Sequence, residues 1–461
     1  MSRNKSCFTS LGQRLLLALA VGGSLAAQEA QSAMRLATFS AEITPPLGHP
    51  LFGGKTARTI ADSLFARGFV LGEESGVMVL VAVDWCEIRN DAHDRWREVL
   101  AKAAGTTPNR VMVTSVHQHD APLADLEAER ILQARGAGVQ LIDLDYHERM
   151  VQKTAESLRT GLKNAVRVTH FGMGQAMVER IASNRRFVEP DGRIHFGRGS
   201  NGGGNPAYRE FPDGEIDPWL RTLSFWSGDR PVAALMSYAT HPMSYYGGGE
   251  VSSDFVGLAR ARWQRAHPDV HAVYASGCAG DVTAGKYNDG SPTSRVSLTG
   301  RLVEAMESAW IDTHRILLTQ ADWRSVPLRL EARVGDGFKP EDLERKLTAP
   351  GSSPFERVKA ALGLSWHNRV QAGHVLDVPV LDLGAARVVL MPGETFVGYS
   401  LQAQKLQPDL FLMMLGYGEC APGYIPTRQI TGEGFNVSHD WLWVRPDAHR
   451  PMMQAVEAAL Q

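Results

Sequence analysis

Apolar residues gather in short runs along this chain, with polar or turn residues between them. Runs at 76–85 (GVMVLVAVDW), 110–116 (RVMVTSV), 231–238, 271–274, 386–391 and 410–415 show little alternation. Such runs predict strands covered on both faces, as in sheets flanked by helices. Between them, apolar positions recur at helical spacing over 89–104, which ends at Gly105, and over 142–165, 297–313 and within 355–364. Strands alternating with helices predict an α/β fold with mixed β-sheets flanked by helices. No break in composition demands a boundary, so 34–461 reads as one unit. Two loops stand out: the Gly-rich stretch 192–218, containing GRGSNGGGNP, and 348–353, TAPGSS. The first is long enough to predict a functional surface loop or lid.

Composition changes this picture at two points. At 461 residues and 44% hydrophobic, the chain can bury a large core. Its 48 Lys and Arg against 50 Asp and Glu leave no basic excess, so no nucleic-acid partner is expected. The first 33 residues form a separate signal. Arg3, Lys5 and Arg14 precede an apolar run from Leu15 to Val21, and small residues follow at Ala26, Ala27, Ser32 and Ala33. Positive, apolar and small-residue zones in that order predict a cleaved export signal, and hence a periplasmic or secreted protein. No stretch predicts a membrane span. Of four cysteines, Cys7 lies in the signal, leaving Cys86, Cys278 and Cys420. That odd number, without CxxC spacing, allows one disulfide plus a thiol and does not match a Cys-ligated zinc site.

Reactive residues of α/β proteins lie just past the carboxyl ends of strands. His117 and His119, in SVHQHDAP, follow one predicted strand. In extended backbone an HxH pair would turn both rings to one side, an arrangement that suits zinc. His241, in THPMSYY, follows a second strand, and Asp254, in SSDFVG, is a candidate to orient a histidine ring. Glu394, in MPGETF, follows a third strand and a Pro-Gly turn. Tyr417 and Tyr424 occupy GYGECAPGYIPT. In SGCAGDVTAG, small residues allow close backbone approach to a ligand. There Asp281 is a candidate to hold a histidine tautomer and Thr283 to contact substrate.

Taken in order, these segments resemble the N-terminal catalytic domain of the neutral/alkaline non-lysosomal ceramidases. The resemblance runs from AEITPPLGHPLFGG and DSLFARGFVL through Asp84 in VDW, SVHQHDAP, the NRR of Asn184 to Arg186, DPWLRTLSF, THPMSYY, SSDFVG, SGCAGDVT, MPGETF and GYIPT, covering about 41–427. It implies a ceramidase-like fold and one Zn2+ bound by His117, His241, Glu394 and Tyr424, with Tyr424 matching the tyrosine position better than Tyr417. It also implies His119 near the reacting group and Arg185 on the substrate side. Two departures bear on specificity. Thr283 stands where the family carries a serine, and the immunoglobulin-like C-terminal domain of the ceramidases is not expected here.

The expected chemistry is metal-assisted hydrolysis of an amide bond in an N-acyl, ceramide-like substrate. Cleavage of an ester, lactone or other linkage is the alternative. The expected partner is a small-molecule or lipid substrate, with peripheral membrane contact compatible with it. A barrel-type amidohydrolase also begins with HxH after a strand, but needs eight regular strand–helix units and a late Asp ligand, which fit poorly. A secreted binding protein with a degenerate site is the rival from outside enzymes, and the presence of all four candidate ligands argues against it.

Overall fold

The computed structural model describes residues 34–73, 76–335, 337–435 and 439–461. The expected signal at 1–33 lies outside the described residues. Three larger sheets carry the fold. The first contains β1 (Arg35–Glu42), β2 (Phe65–Glu73), β3 (Gly76–Val83), β4 (Val111–Ser115) and β5 (Val166–Arg167), in the order β5-β1-β2-β3-β4. The second contains β6 (His170–Met177), β7 (Trp219–Ser227), β8 (Arg230–Tyr238), β9 (His271–Ser276) and β10 (His314–Leu317), in the order β9-β8-β7-β6-β10. The third is β11 (Asp322–Leu328), β12 (Leu376–Asp382), β13 (Ala386–Leu390) and β14 (Phe411–Leu415), in sequence order.

Each sheet is antiparallel except for one parallel pair: β3 with β4, β8 with β9, and β13 with β14. A parallel pair needs a crossover, and here each is a helix. These are α1 (Asn90–Ala104), α2 (Asp254–Ala266) and α3 (Val397–Leu406). The apolar runs legible in the sequence are these six strands, whose residues are almost all buried. The mixed-sheet α/β fold expected from the sequence is the fold observed.

Local rules set the helix bounds. In α1, Ala92, Trp96, Val99 and Leu100 are buried on one stripe. Its end is Gly105, at φ 69°, whose N–H donates to Ala101 O. The helix expected over 297–313 starts earlier, at Pro292, because Ser291 caps it by accepting from Ser294 N and proline suits the first turn. The helix at Pro354–Gln371 starts on a Ser353/Glu356 capping box and runs beyond 364. The Gly-rich stretch 192–218 is a pinned strap. Arg198, fully buried, donates to the carbonyls of Asn184, Pro212 and Asp213, and Gly203 N donates to Asn288 O at 2.9 Å. Cys86, Cys278 and Cys420 are buried free thiols, so no disulfide forms among them. Among the described residues no helix is long and apolar enough to cross a membrane.

One buried ion pair joins the first two sheets. Asp84, just past β3, accepts from Arg260 of α2 through both carboxylate oxygens at 2.7 Å, and from Phe65 N at 2.8 Å. Both side chains are sealed from water, so removing one leaves the other charged and unpaired. Asp84→Asn is expected to lower unfolding free energy by about 3–5 kcal/mol, read as a fall in the urea midpoint with an unchanged m-value. A shift under about 1 kcal/mol would contradict this account of the pair.

Candidate metal centre

The carboxyl ends of the three parallel pairs meet, and main-chain groups join them. Ser115 N donates to Tyr417 O at 3.0 Å, and Gly416 N to Ser276 O at 3.0 Å. The hydroxyl of Ser276 donates to Val116 O at 2.7 Å. These bonds connect the ends of β4, β14 and β9. His117 follows β4, His241 follows β8 and Glu394 follows β13, so the same junction brings the three together.

Their geometry is closed and specific. Glu394 Oε2 lies 2.8 Å from His241 Nε2 and 3.3 Å from His117 Nε2, and all three side chains are buried. The other ring nitrogens face oxygens. His117 Nδ1 is 2.8 Å from Cys86 O. His241 Nδ1 is 2.6 Å from Ala279 O and 3.1 Å from Val282 O, with the Tyr417 hydroxyl at 3.3 Å. Carbonyls cannot donate, so each Nδ1 carries a proton and each Nε2 is turned to one carboxylate oxygen, as a lone pair around a bound cation or as an N–H donor without one. Three such donor atoms closing on one point fit a cation. Backbone carbonyls on the far nitrogens are the usual support of a metal-bound imidazole. His117 Nε2 has no hydrogen-bond partner among the described residues.

Electrostatics follow from this closure. Burial acts to raise Glu394, but the adjoining His117 and His241 hold its carboxyl well below the usual range. Burial, then the charge of Arg185, pushes His241 down to about 4. Burial also opposes a charged His117, yet the charge of Glu394 outweighs it and raises that ring. His119 is pushed well down by burial and then by His117 and His241, so it is a neutral imidazole at neutral pH.

Tyr424 is placed by a short parallel ladder in which Glu394 and Tyr424 are direct partners. Neighbours across a ladder share a face, which sets the phenol beside the carboxylate. Its hydroxyl accepts from Arg185 at 2.6 Å, and the guanidinium lies 5.3 Å from the ring centroid. Arg185 is carried in by another ladder, in which Ser183 pairs with Thr283 and Asn184 with Val282. His119 stands beside the triad, its ring centroid 5.1 Å from that of His117 and 6.2 Å from that of His241. Neither of its nitrogens has a hydrogen-bond partner among the described residues.

Five expectations need correction. His117 and His119 do converge, but not through extended backbone: His117 has φ 75°, a left-handed turn just after β4. Asp254 holds no histidine; it accepts from Ser244 N and Phe255 N and faces Arg295 at 3.6 Å. Asp281 holds no histidine either, because main-chain carbonyls take that task. Its carboxylate accepts from Asn184 Nδ2 and Val397 N at 2.9 Å each, tying the Arg185 ladder to the start of α3. The small residues of SGCAGD approach backbone rather than ligand. A Cβ on Gly280 would lie 2.1 Å from Glu394 O. Thr283 is fully buried, and its hydroxyl accepts from Gly285 N at 2.9 Å within its own turn.

Tyr417 matters more than a lone tyrosine in sequence could reveal. Its ring stacks on His117 at 4.2 Å and 18°, and it too is left-handed, at φ 59°. Two adjacent non-glycine residues in that conformation mark a site whose surroundings dictate the backbone. The one hint in the sequence is its place directly after an apolar run, like His117.

Gly280→Ala is therefore expected to push the Glu394 main chain away. Affinity for a divalent metal ion, read by isothermal titration, should fall about tenfold or more while the circular dichroism spectrum stays near wild type. An unchanged affinity would mean that the Gly280 contact does not position Glu394.

No protein-family model matches the sequence, and no curated protein matches it either. Among solved structures, the chain is similar to neutral ceramidase from Pseudomonas aeruginosa, with a TM-score of 0.66 and 18% identity over 93% of this chain and 74% of that one. It is similar also to a structure described as ceramidase complexed with C2, with a TM-score of 0.65 and 17% identity over 93% and 75% of the two chains. The resemblance read from the ordered motifs thus holds in three dimensions, and over nearly its whole described length the chain has the fold of these ceramidases.

Proposed function

We propose that this protein is a zinc-dependent hydrolase that cleaves the amide bond of an N-acyl, ceramide-like lipid. The observation that carries the reading is the buried cluster in which the Nε2 atoms of His117 and His241 close on one Glu394 carboxylate oxygen. The fold likeness to a neutral ceramidase supports the reaction class.

His117, His241 and Glu394 would hold the ion, with Tyr424 as the fourth donor. Two imidazoles, a carboxylate and a phenol are a donor set that zinc accepts. Zinc would supply electrophilic polarisation of a carbonyl and would lower the pKa of a bound water towards neutrality. Arg185 orients the Tyr424 phenol and disperses negative charge beside it. His119, neutral and with open nitrogens, takes a proton from the attacking water and returns it to the leaving nitrogen. Its ring is flanked by Phe52 at 4.4 Å and Tyr246 at 5.0 Å. Phe52 continues edge-on to Trp441 at 5.3 Å and Phe355 at 5.9 Å. That aromatic wall favours an apolar acyl group next to the reacting amide. The pattern at 1–33 supports a further part of the proposal, that the enzyme works after export.

Zinc-loaded protein is expected to turn over N-acylsphingosine. His117→Ala and Glu394→Gln should lose both the ion and at least about 100-fold in kcat/KM. His119→Gln should keep the ion and lose about 10²–10⁴-fold in kcat. Full turnover by protein stripped of zinc would end the proposal, and turnover of simple esters alone would redirect it to another linkage.

A further inference from the structure

A second constellation of metal-ligating side chains lies where α1 begins. One donor atom each from His93, Asp94 and Glu419 falls within 4.8 Å of the others, apart from the His117 centre. His93 Nε2 is 3.3 Å from Val113 O, so its proton faces a carbonyl and its Nδ1 lone pair is left for another partner. That partner is Glu419 Oε2, at 3.6 Å. The gap is too long for a hydrogen bond. It suits two donors of one ion, each roughly 2.0–2.1 Å from it at an angle near 120°. Glu419 Oε1 accepts from Asn90 N at 2.6 Å, which fixes the carboxylate, while Glu419 Oε2 has no hydrogen-bond partner among the described residues. Glu419 and His93 are both more than nine-tenths buried. Asn90 Oδ1, at the same helix start, is a further buried acceptor without a partner among the described residues.

Asp94 closes the set. Its carboxylate already accepts from Arg369 at 2.8 Å, which leaves the other oxygen open. Its side chain is about one-third exposed, at 34%, and gives an ion a way in from solvent.

We infer that His93, Asp94 and Glu419 bind a second divalent transition-metal ion, of the zinc or manganese class, that ties the start of α1 to the segment after β14. One nitrogen with two or more oxygens fits that class better than a calcium-type all-oxygen site. The role is structural: the segment that Glu419 anchors also carries Tyr417 and leads to Tyr424. The inference does not rest on hydrolytic activity.

Equilibrium dialysis of the full chain against Zn2+, and separately Mn2+, followed by elemental analysis, tests it. Wild type should retain two equivalents of Zn2+. His117→Ala should retain one, and Glu419→Gln should retain one. The double variant should retain none. In His117→Ala, chelation should lower Tm by several degrees, because only the second ion remains to be removed. If Glu419→Gln does not fold, His93→Gln replaces it. A His117→Ala that holds none, or a Glu419→Gln that holds as much as wild type, would overturn the inference. Retention of one equivalent by His117→Ala that is lost only on Glu419 substitution would uphold it even if the amide-hydrolase reading failed.

Discussion

The structure depends on three strand ends held together by main-chain hydrogen bonds. β4, β9 and β14 come from three different sheets, yet their carboxyl ends share donors and acceptors through Ser115, Ser276 and Gly416. A strand that stops in the protein interior leaves unpaired N–H and C=O groups, which are costly unless satisfied. Here each strand end satisfies the next. The residues just beyond must then crowd into one small volume, and these include His117, Tyr417 and, through the neighbouring strands, His241 and Glu394. Convergence of the candidate ligands follows from how the sheets are joined.

Crowding also dictates backbone shape. His117 and Tyr417 are left-handed and stacked on each other. Such a conformation costs a non-glycine residue about 1–3 kcal/mol, and the surrounding bonds hold it there. Glycine takes over where no side chain fits at all, as at Gly280 against the Glu394 carbonyl. The charged members have partners close at hand: Glu394 the two imidazoles, Arg185 the Tyr424 hydroxyl, Asp84 Arg260.

Strands buried on both faces are legible in the sequence, because continuous apolar runs of four to eight residues between turn residues, rich in valine, are too short for most buried helices. All six strands of the three parallel pairs stand out in this way, with His117, His241 and Glu394 just past their ends. Other strands do not. β1 (RLATFSAE) and β2 (FARGFVLGE) mix small, polar and apolar positions, since part of each faces outward. Roles that depend on long-range partners are hidden for a related reason. Asp254 and Asp281 look like supports for histidines, but the histidines take main-chain carbonyls, which leave no mark in a sequence. Glu419, in GYGEC, has no periodicity or neighbouring ligand to draw attention to it. Asn90, whose N–H it accepts, lies more than 300 residues away, as do His93 and Asp94.

A junction made from peptide groups is indifferent to most side chains, since any residue but proline brings the same N–H and C=O. Divergence can therefore run far without dismantling it. That explains how a chain retains this architecture at 18% identity to a solved relative in shape. Side chains along the strands can then change so long as they still fill the core, without loosening the joint itself.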